Sequence, residues 1–257
     1  MEAVFDYPVR EHTYKTTKHR ALKLYVLEPS HQISQCPVIL FFFGGGFVRN
    51  NRTAAQFQHH ANFFSSRGFT SICVDYRNAN DTDFIPAQAI MDAKSAIRYI
   101  RKNSAEFGID PAKIVMCGAS SGGYTCVSSI LFNELNEIDD ETEISCIPNL
   151  LAVFAAGMDG VEIMNRLFPG IEEESQAISP IHHVKQGLPP TIWFCGTADP
   201  LYPQNLQFIE AMNQCGNQID FYTYEGMEHG FFNYGLHDNK PYIETTKQMI
   251  KFFQDNL

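Results

Sequence analysis

Basic residues are scarce in this 257-residue chain: 19 Lys and Arg stand against 29 Asp and Glu, a formal net charge of −10. An acidic excess of that size disfavours nucleic acid and anionic membrane surfaces as partners. Long apolar runs are missing too. No stretch of 18 apolar residues occurs, so no membrane-spanning helix is expected. The opening residues, Met1 to Pro8, lack a basic region followed by an apolar core, so no signal peptide is expected. The seven cysteines are scattered, odd in number and never in C-x-x-C spacing, which fits reduced thiols in a cytoplasmic protein. No H-E-x-x-H occurs, and the histidine pairs His59-His60 and His182-His183 are adjacent rather than at ligand spacing, so neither metal nor cofactor is expected. Internal repeats, low-complexity stretches and linkers are absent as well, which points to one domain over residues 1–257.

What is present is a core. Hydrophobic residues make up 44% of the chain and charged ones 19%, the balance of a well-cored globular protein. Its organising stretch is Gly118-Ala119-Ser120-Ser121-Gly122-Gly123. An uncharged apolar run, Lys113 to Cys117, precedes it and reads as a strand buried on both faces. A mostly apolar run from Tyr124 to Phe132 follows and reads as a helix starting at the glycines. A strand, a sharp turn and a helix around Gly118-x-Ser120-x-Gly122 form a nucleophile-elbow pattern. The turn strains the serine and leaves no room for side chains two positions either side. The strain exposes the Ser120 hydroxyl at the tip of the sheet, beside the positive end of the following helix.

Along the chain, alternating runs at Glu11–Thr17 and Ala21–Leu27 predict an antiparallel pair at a sheet edge. Buried strands are expected at Pro37–Phe43, Phe69–Asp75, Leu150–Ala156, Pro190–Cys195 and Ile219–Tyr224. Helices are expected from Thr53 to about Arg67, with Gly68 as the stop, and over Phe84–Phe107, Gln204–Gln214 and Thr245–Asp255. Buried runs alternating with helices imply a mostly parallel sheet with helices on both faces. The acidic run from Asn133 to Ile144 reads as a solvated surface loop, with weak cation binding as the alternative, and Asp75 with Arg77 as a structural ion pair.

Such sheets hold ligands at the carboxyl ends of their strands. Ser120 needs a base to take its proton and a third group to orient that base. Of nine histidines, only His229 lies within a few residues of a strand's carboxyl end, between Gly226 and Gly230. The carboxylate should fall between serine and histidine in the chain. Asp199, 79 residues after Ser120 and 30 before His229, meets that order, with Asp159 as the alternative. An ester or amide attacked by Ser120 develops an oxyanion, for which Gly44-Gly45-Gly46 and the Ser121 N–H offer backbone donors. The glycines are not a phosphate loop, because Phe47 and Val48 stand where a G-K-[ST] ending is required.

With these residues placed, the chain from about Pro37 to His229 resembles the α/β-hydrolase carboxylesterases. It is most similar to the branch shared by hormone-sensitive-lipase-like and acetyl xylan esterase-like enzymes. The likeness rests on several motifs. Phe43-Gly44-Gly45-Gly46-Phe47 stands where the family has H-G-G-G-F, and Val74-Asp75-Tyr76-Arg77 includes D-Y-R. Beyond these come the elbow, Ser179-Pro180, Gly196-Thr197-Ala198-Asp199-Pro200 and Gly226-Met227-Glu228-His229-Gly230-Phe231. The resemblance implies a Ser120-Asp199-His229 triad and oxyanion donors at Gly45 and Gly46. It departs from the pattern at Phe43, which replaces a histidine that helps hold the glycine loop. Only 36 residues precede the first central strand and 33 separate Gly157 from Pro190, so little or no lid is expected. The implied activity is hydrolysis of short acyl esters, acetylated sugars and xylan among them, through an acyl-enzyme. An amide-cleaving relative (a formamidase or small peptidase) shares all these residues. A non-catalytic binding protein of the same fold would lack triad members, and here all three are present.

Overall fold

The computed structural model describes residues 2–31, 35–168, 170 and 172–257. The uncharged runs form strands because branched and aromatic side chains suit a pleated surface covered on both sides. Among the described residues eight strands make one sheet in the order β1-β2-β4-β3-β5-β6-β7-β8. They are β1 (Arg10–Thr16), β2 (Ala21–Leu27), β3 (Cys36–Phe42), β4 (Thr70–Val74), β5 (Ile109–Ala119), β6 (Leu150–Phe154), β7 (Thr191–Gly196) and β8 (Ile219–Tyr224). Only the β1–β2 and β2–β4 pairs are antiparallel; β4, β3, β5, β6, β7 and β8 run parallel. This is the expected α/β-hydrolase arrangement, with the antiparallel pair at one edge.

Among the described residues five α-helices connect the strands, α1 (Gln58–Ser65), α2 (Pro86–Lys102), α3 (Ser121–Leu131), α4 (Gly160–Leu167) and α5 (Tyr202–Gln214), and a sixth, α6 (Lys240–Asn256), follows β8. The strands β4, β6 and β7 are buried at every position. Phe64 of α1 meets Phe253 of α6 at a centroid distance of 5.6 Å, and Phe154 of β6 stacks on Phe232 at 4.1 Å. No helix among the described residues is long and apolar enough to cross a membrane.

Several expectations needed correction. The helix expected over Phe84–Phe107 is α2, which starts at Pro86 because proline fits a first helical turn while Ile85 before it stays extended (φ −131°, ψ 150°). The helix expected from Thr53 is a 3-10 turn, Ala54–Phe57, capped by the Thr53 hydroxyl, followed by α1. Asp75 pairs with Arg20, not with Arg77. Past the end of β4 the chain leaves the pleat, and Arg77 turns onto Asp92 of α2, a carboxylate with no exposed surface. The acidic run is not simply solvated. Glu137 pairs with Lys15 and Arg77, Asp140 with Arg98 at 2.7 Å, and Glu141 with Lys102. Its cations come from the protein itself. The sequence reading also missed α4, although Asp159 followed by Glu162 at the third helical position is a recognisable start signal.

Because β3, β5, β7 and β8 are parallel, their carboxyl ends share one edge of the sheet. There the chain carries, in turn, Gly44–Gly46, Ser120, Asp199 and His229.

Candidate active site

Ser120 holds φ 53° and ψ −122°, a conformation that L-residues adopt only when the surroundings impose it. The surroundings here are backbone. A Cβ on Gly122 would lie 2.2 Å from the Phe42 carbonyl oxygen, and one on Gly118 would lie 2.5 Å from that of Gly122. The two glycines therefore let β5, α3 and the end of β3 close on one another around the strained serine. Ser120 N–H donates to the Phe154 carbonyl of β6, and the Ser120 carbonyl accepts the first bond of α3 from Tyr124 N–H. The main chain is thus anchored on both sides, while the side chain opens into a cavity of about 250 Å³. Phe47, Tyr124, Ile163, Leu167 and Leu201 supply its apolar wall, and Arg166 stands at its edge. Two of these, Ile163 and Leu167, belong to α4, so the short segment between β6 and β7 does supply a wall over the site.

His229 Nδ1 lies 2.7 Å from Asp199 Oδ2. The Asp199 side chain has no exposed surface, and its other oxygen accepts the Leu201 N–H at 2.8 Å. Asp199 is therefore both the turn cap before Pro200 and the partner of the histidine. The loops carrying the pair are tied together. Gly226 N–H donates to Thr197 Oγ1, and Ala198 N–H to the Met227 carbonyl. A neutral His229 that donates Nδ1–H to the carboxylate would carry its lone pair at Nε2. Asp159, the alternative carboxylate, instead caps α4, accepting from Val161 and Glu162 N–H at 3.0 and 3.1 Å.

The other histidines have other partners where bonds are formed. His59 meets Tyr7, His182 meets Ser179, His183 meets the Gln176 carbonyl, and His237 pairs with Glu228. Cys195, four residues before Asp199, is no rival nucleophile, since burial pushes its thiol up to about 12.

Gly45 and Gly46 N–H both donate to Ser121 Oγ, at 2.8 and 3.1 Å. The loop they belong to is braced without the family's histidine. Gly44 N–H donates to Gln56 Oε1 at 2.8 Å, Asn50 Nδ2 donates to the Gly45 carbonyl at 2.8 Å, and the Tyr76 hydroxyl donates to the Phe43 carbonyl. Phe43 itself packs on Tyr76 in the core, with centroids 4.7 Å apart. Three polar side chains therefore hold the loop that Phe43 cannot. Sequence reasoning missed them because the contacts join residues from 5 to 33 positions apart.

Residues 24–150 match the BD-FAE family. Among solved structures, esterase 2 of Thermogutta terrifontis superposes with a TM-score of 0.88 at 33% identity, covering 96% of this chain and 94% of that one. Among curated proteins, a probable isoprenylcysteine alpha-carbonyl methylesterase of Arabidopsis thaliana is 24% identical over 87% of this chain. The carboxylesterase NlhH of Mycobacterium tuberculosis is 26% identical over 78% of this chain and 68% of its own length. The chain spans about half the length of the plant relatives it matches, 51% and 56% of two of them. The sheet order, the strained serine at its tip and the likeness over nearly the whole length of a solved esterase lead to one assignment. The chain belongs to the α/β-hydrolase carboxylesterases of the hormone-sensitive-lipase-like branch.

Proposed function

We propose that the protein is a serine esterase that cleaves short acyl esters through an acyl-enzyme. In this reading Ser120 is the nucleophile, His229 the general base and acid, and Asp199 the group that orients it. The observation that carries the reading is the 2.7 Å bond between His229 and the buried Asp199, on the sheet edge where the strained Ser120 opens into the cavity.

Ser120 Oγ attacks the ester carbonyl carbon while its proton passes to His229 Nε2. The carbonyl π pair moves onto oxygen, where the N–H groups of Gly45, Gly46 and Ser121 receive the charge. Collapse of that intermediate breaks the bond to the leaving alkoxide, which takes the proton from His229. Water repeats the sequence on the acyl-enzyme and releases the acid. Asp199 keeps the imidazole in the tautomer with Nε2 free and stabilises the cation formed at each step.

The cavity supports short acyl groups. Its apolar wall rewards each buried methylene by ~0.8 kcal/mol only until the wall ends. Structures similar to this one include the Thermogutta esterase with propionate and with butyrate bound. Acetylated sugars, xylan among them, are the alcohol-side substrates proposed, since the partly exposed His229 leaves the mouth accessible to a soluble leaving group.

A chain-length series of 4-nitrophenyl esters, run beside acetylated xylan, tests the reading. We expect the highest kcat/KM from acetyl to butyryl. Better rates on acyl chains of about eight carbons or more would overturn the chain-length claim, and no turnover of any ester would overturn the function.

A further inference from the structure

The donors assigned to the oxyanion are already engaged. Gly45 and Gly46 N–H converge on a single acceptor, the Ser121 hydroxyl, at 2.8 and 3.1 Å. These are full-strength hydrogen bonds by distance, and the acceptor's residue, Ser121, is buried (7% exposed). Ser121 N–H is the third donor of the same set, and thus one residue supplies both a donor and the acceptor that occupies the other two.

We propose that the Ser121 side chain is an internal ligand of the oxyanion donors, holding Gly45 and Gly46 N–H in the free protein until a substrate carbonyl displaces it. This rests on the esterase reading above. The displaced hydroxyl has a place to go. Besides lining the active-site cavity, Ser121 lines a second, small cavity behind the glycine loop, bounded by Phe43, Asn50 and Tyr76. The Tyr76 hydroxyl spends its one proton on the Phe43 carbonyl, which leaves its oxygen able to accept from Ser121, with which it already interacts. Rotation about its one side-chain torsion is the motion by which Ser121 Oγ would leave the glycine amides.

The arrangement has two consequences. In the free protein the hydroxyl is the acceptor for both N–H groups, at a half-buried Gly45 and an exposed Gly46, which holds the loop in the conformation catalysis requires. During acylation the same hydroxyl is a competitor, so a substrate must supply a carbonyl oxygen that binds the amides better than a neutral hydroxyl does. A developing oxyanion meets that condition far more fully than a ground-state carbonyl. Ser121 thus shifts the donors' preference toward the transition state.

The test is Ser121→Ala, which keeps all three backbone donors and removes only the competing oxygen. We expect kcat/KM for 4-nitrophenyl butyrate to rise roughly three- to tenfold, the equivalent of about one net hydrogen bond. An aryl trifluoromethyl ketone, which forms a tetrahedral adduct on Ser120, should bind tighter by a similar factor. Thermal melting of the variant checks its fold. Unchanged or lower kcat/KM in a folded variant overturns the inference, because the hydroxyl is then either a spacer or itself an oxyanion donor. A second measurement needs no variant: the crystal structure of the unsubstituted protein carrying the ketone adduct. The adduct oxygen should take the Gly45 and Gly46 N–H groups with Ser121 Oγ beyond hydrogen-bonding range of both. Persistence of both Ser121 bonds beside the adduct overturns the inference. Failure of the esterase reading looks different: the unsubstituted protein then hydrolyses no ester and forms no adduct, and both readings fall together.

Discussion

His60 is fully buried, and neither ring nitrogen has a hydrogen-bond partner among the described residues. It sits among aromatic rings: Tyr242 at 4.8 Å, Phe57 at 5.1 Å, and Phe154 and Phe232 at 6.0 and 6.1 Å between centroids. Burial, aided by the neighbouring His59, lowers its pKa from 6.5 to about 3. The folded state therefore keeps this imidazole neutral through mild acid while the unfolded chain protonates it. Because the folded pKa is depressed, stability is fully present above about pH 6.5 and is lost as pH falls from there toward about pH 3. At 1.36 kcal/mol per pH unit, the loss from this one residue is about 2 kcal/mol at pH 5. For a chain of this length that is roughly 4–8 °C in Tm. The perturbation is His60→Phe, which preserves the aromatic packing and removes the titration. Urea unfolding at pH 8, 7, 6 and 5 should give curves for the two proteins that converge at alkaline pH to a constant offset. Below pH 6.5 the wild-type curve should fall further than the variant's, by about 2 kcal/mol more at pH 5. The offset itself combines two unpaired nitrogens removed with one ring atom added and does not affect the pH test. Parallel curves throughout, or an NMR titration of His60 near 6.5 in the folded protein, would refute the reasoning.

The remaining predictions can be read with the same purified protein. Ser120→Ala should abolish ester turnover with melting unchanged, and burst-phase acylation in that variant would remove Ser120 as nucleophile. Asp199→Asn should lower kcat by about 10⁴-fold, as in other triads whose carboxylate is replaced. Asp159→Asn, still a good helix cap, should leave kcat within about twofold, and the reverse ranking would identify Asp159 as the acid. Asp92→Leu should destabilise by about 3–5 kcal/mol in urea unfolding, because it strips the buried carboxylate from both Lys15 and Arg77; a loss under about 1 kcal/mol would show the network to be dispensable. Asp238→Gly should stabilise by about 1 kcal/mol, since His237, Asp238 and Asn239 all hold positive φ and glycine adopts it freely. A lower Tm in that variant would contradict the strain.

Position in the chain was enough to locate the sheet and the candidate triad. Buried parallel strands carry an unbroken apolar signal, and Gly118-x-Ser120-x-Gly122 encodes its own geometry because only glycine tolerates backbone approaches of 2.2–2.5 Å. Ser120, Asp199 and His229 each lie at or just past the carboxyl end of a buried run and follow the chain order serine, aspartate, histidine, so they could be named as candidates before any distance was known. What the tertiary structure alone decided lies in contacts that no local pattern marks. Gln56, Asn50 and Tyr76 take over the loop that a histidine holds in the family, each with one polar atom on a backbone group, Asn50 from 5 positions away, Gln56 from 12 and Tyr76 from 33. Arg77 leaves the adjacent-looking Asp75 for Asp92, and the acidic run finds Lys15, Arg77, Arg98 and Lys102 from distant parts of the chain. The Ser121 hydroxyl reaches Gly45 and Gly46 across 75 and 76 positions of sequence. Periodicity and turn chemistry act over a few residues and can be read from order alone. A side chain's partner depends on which surfaces the completed fold brings within about 3 Å, and that is settled only when the sheet has closed.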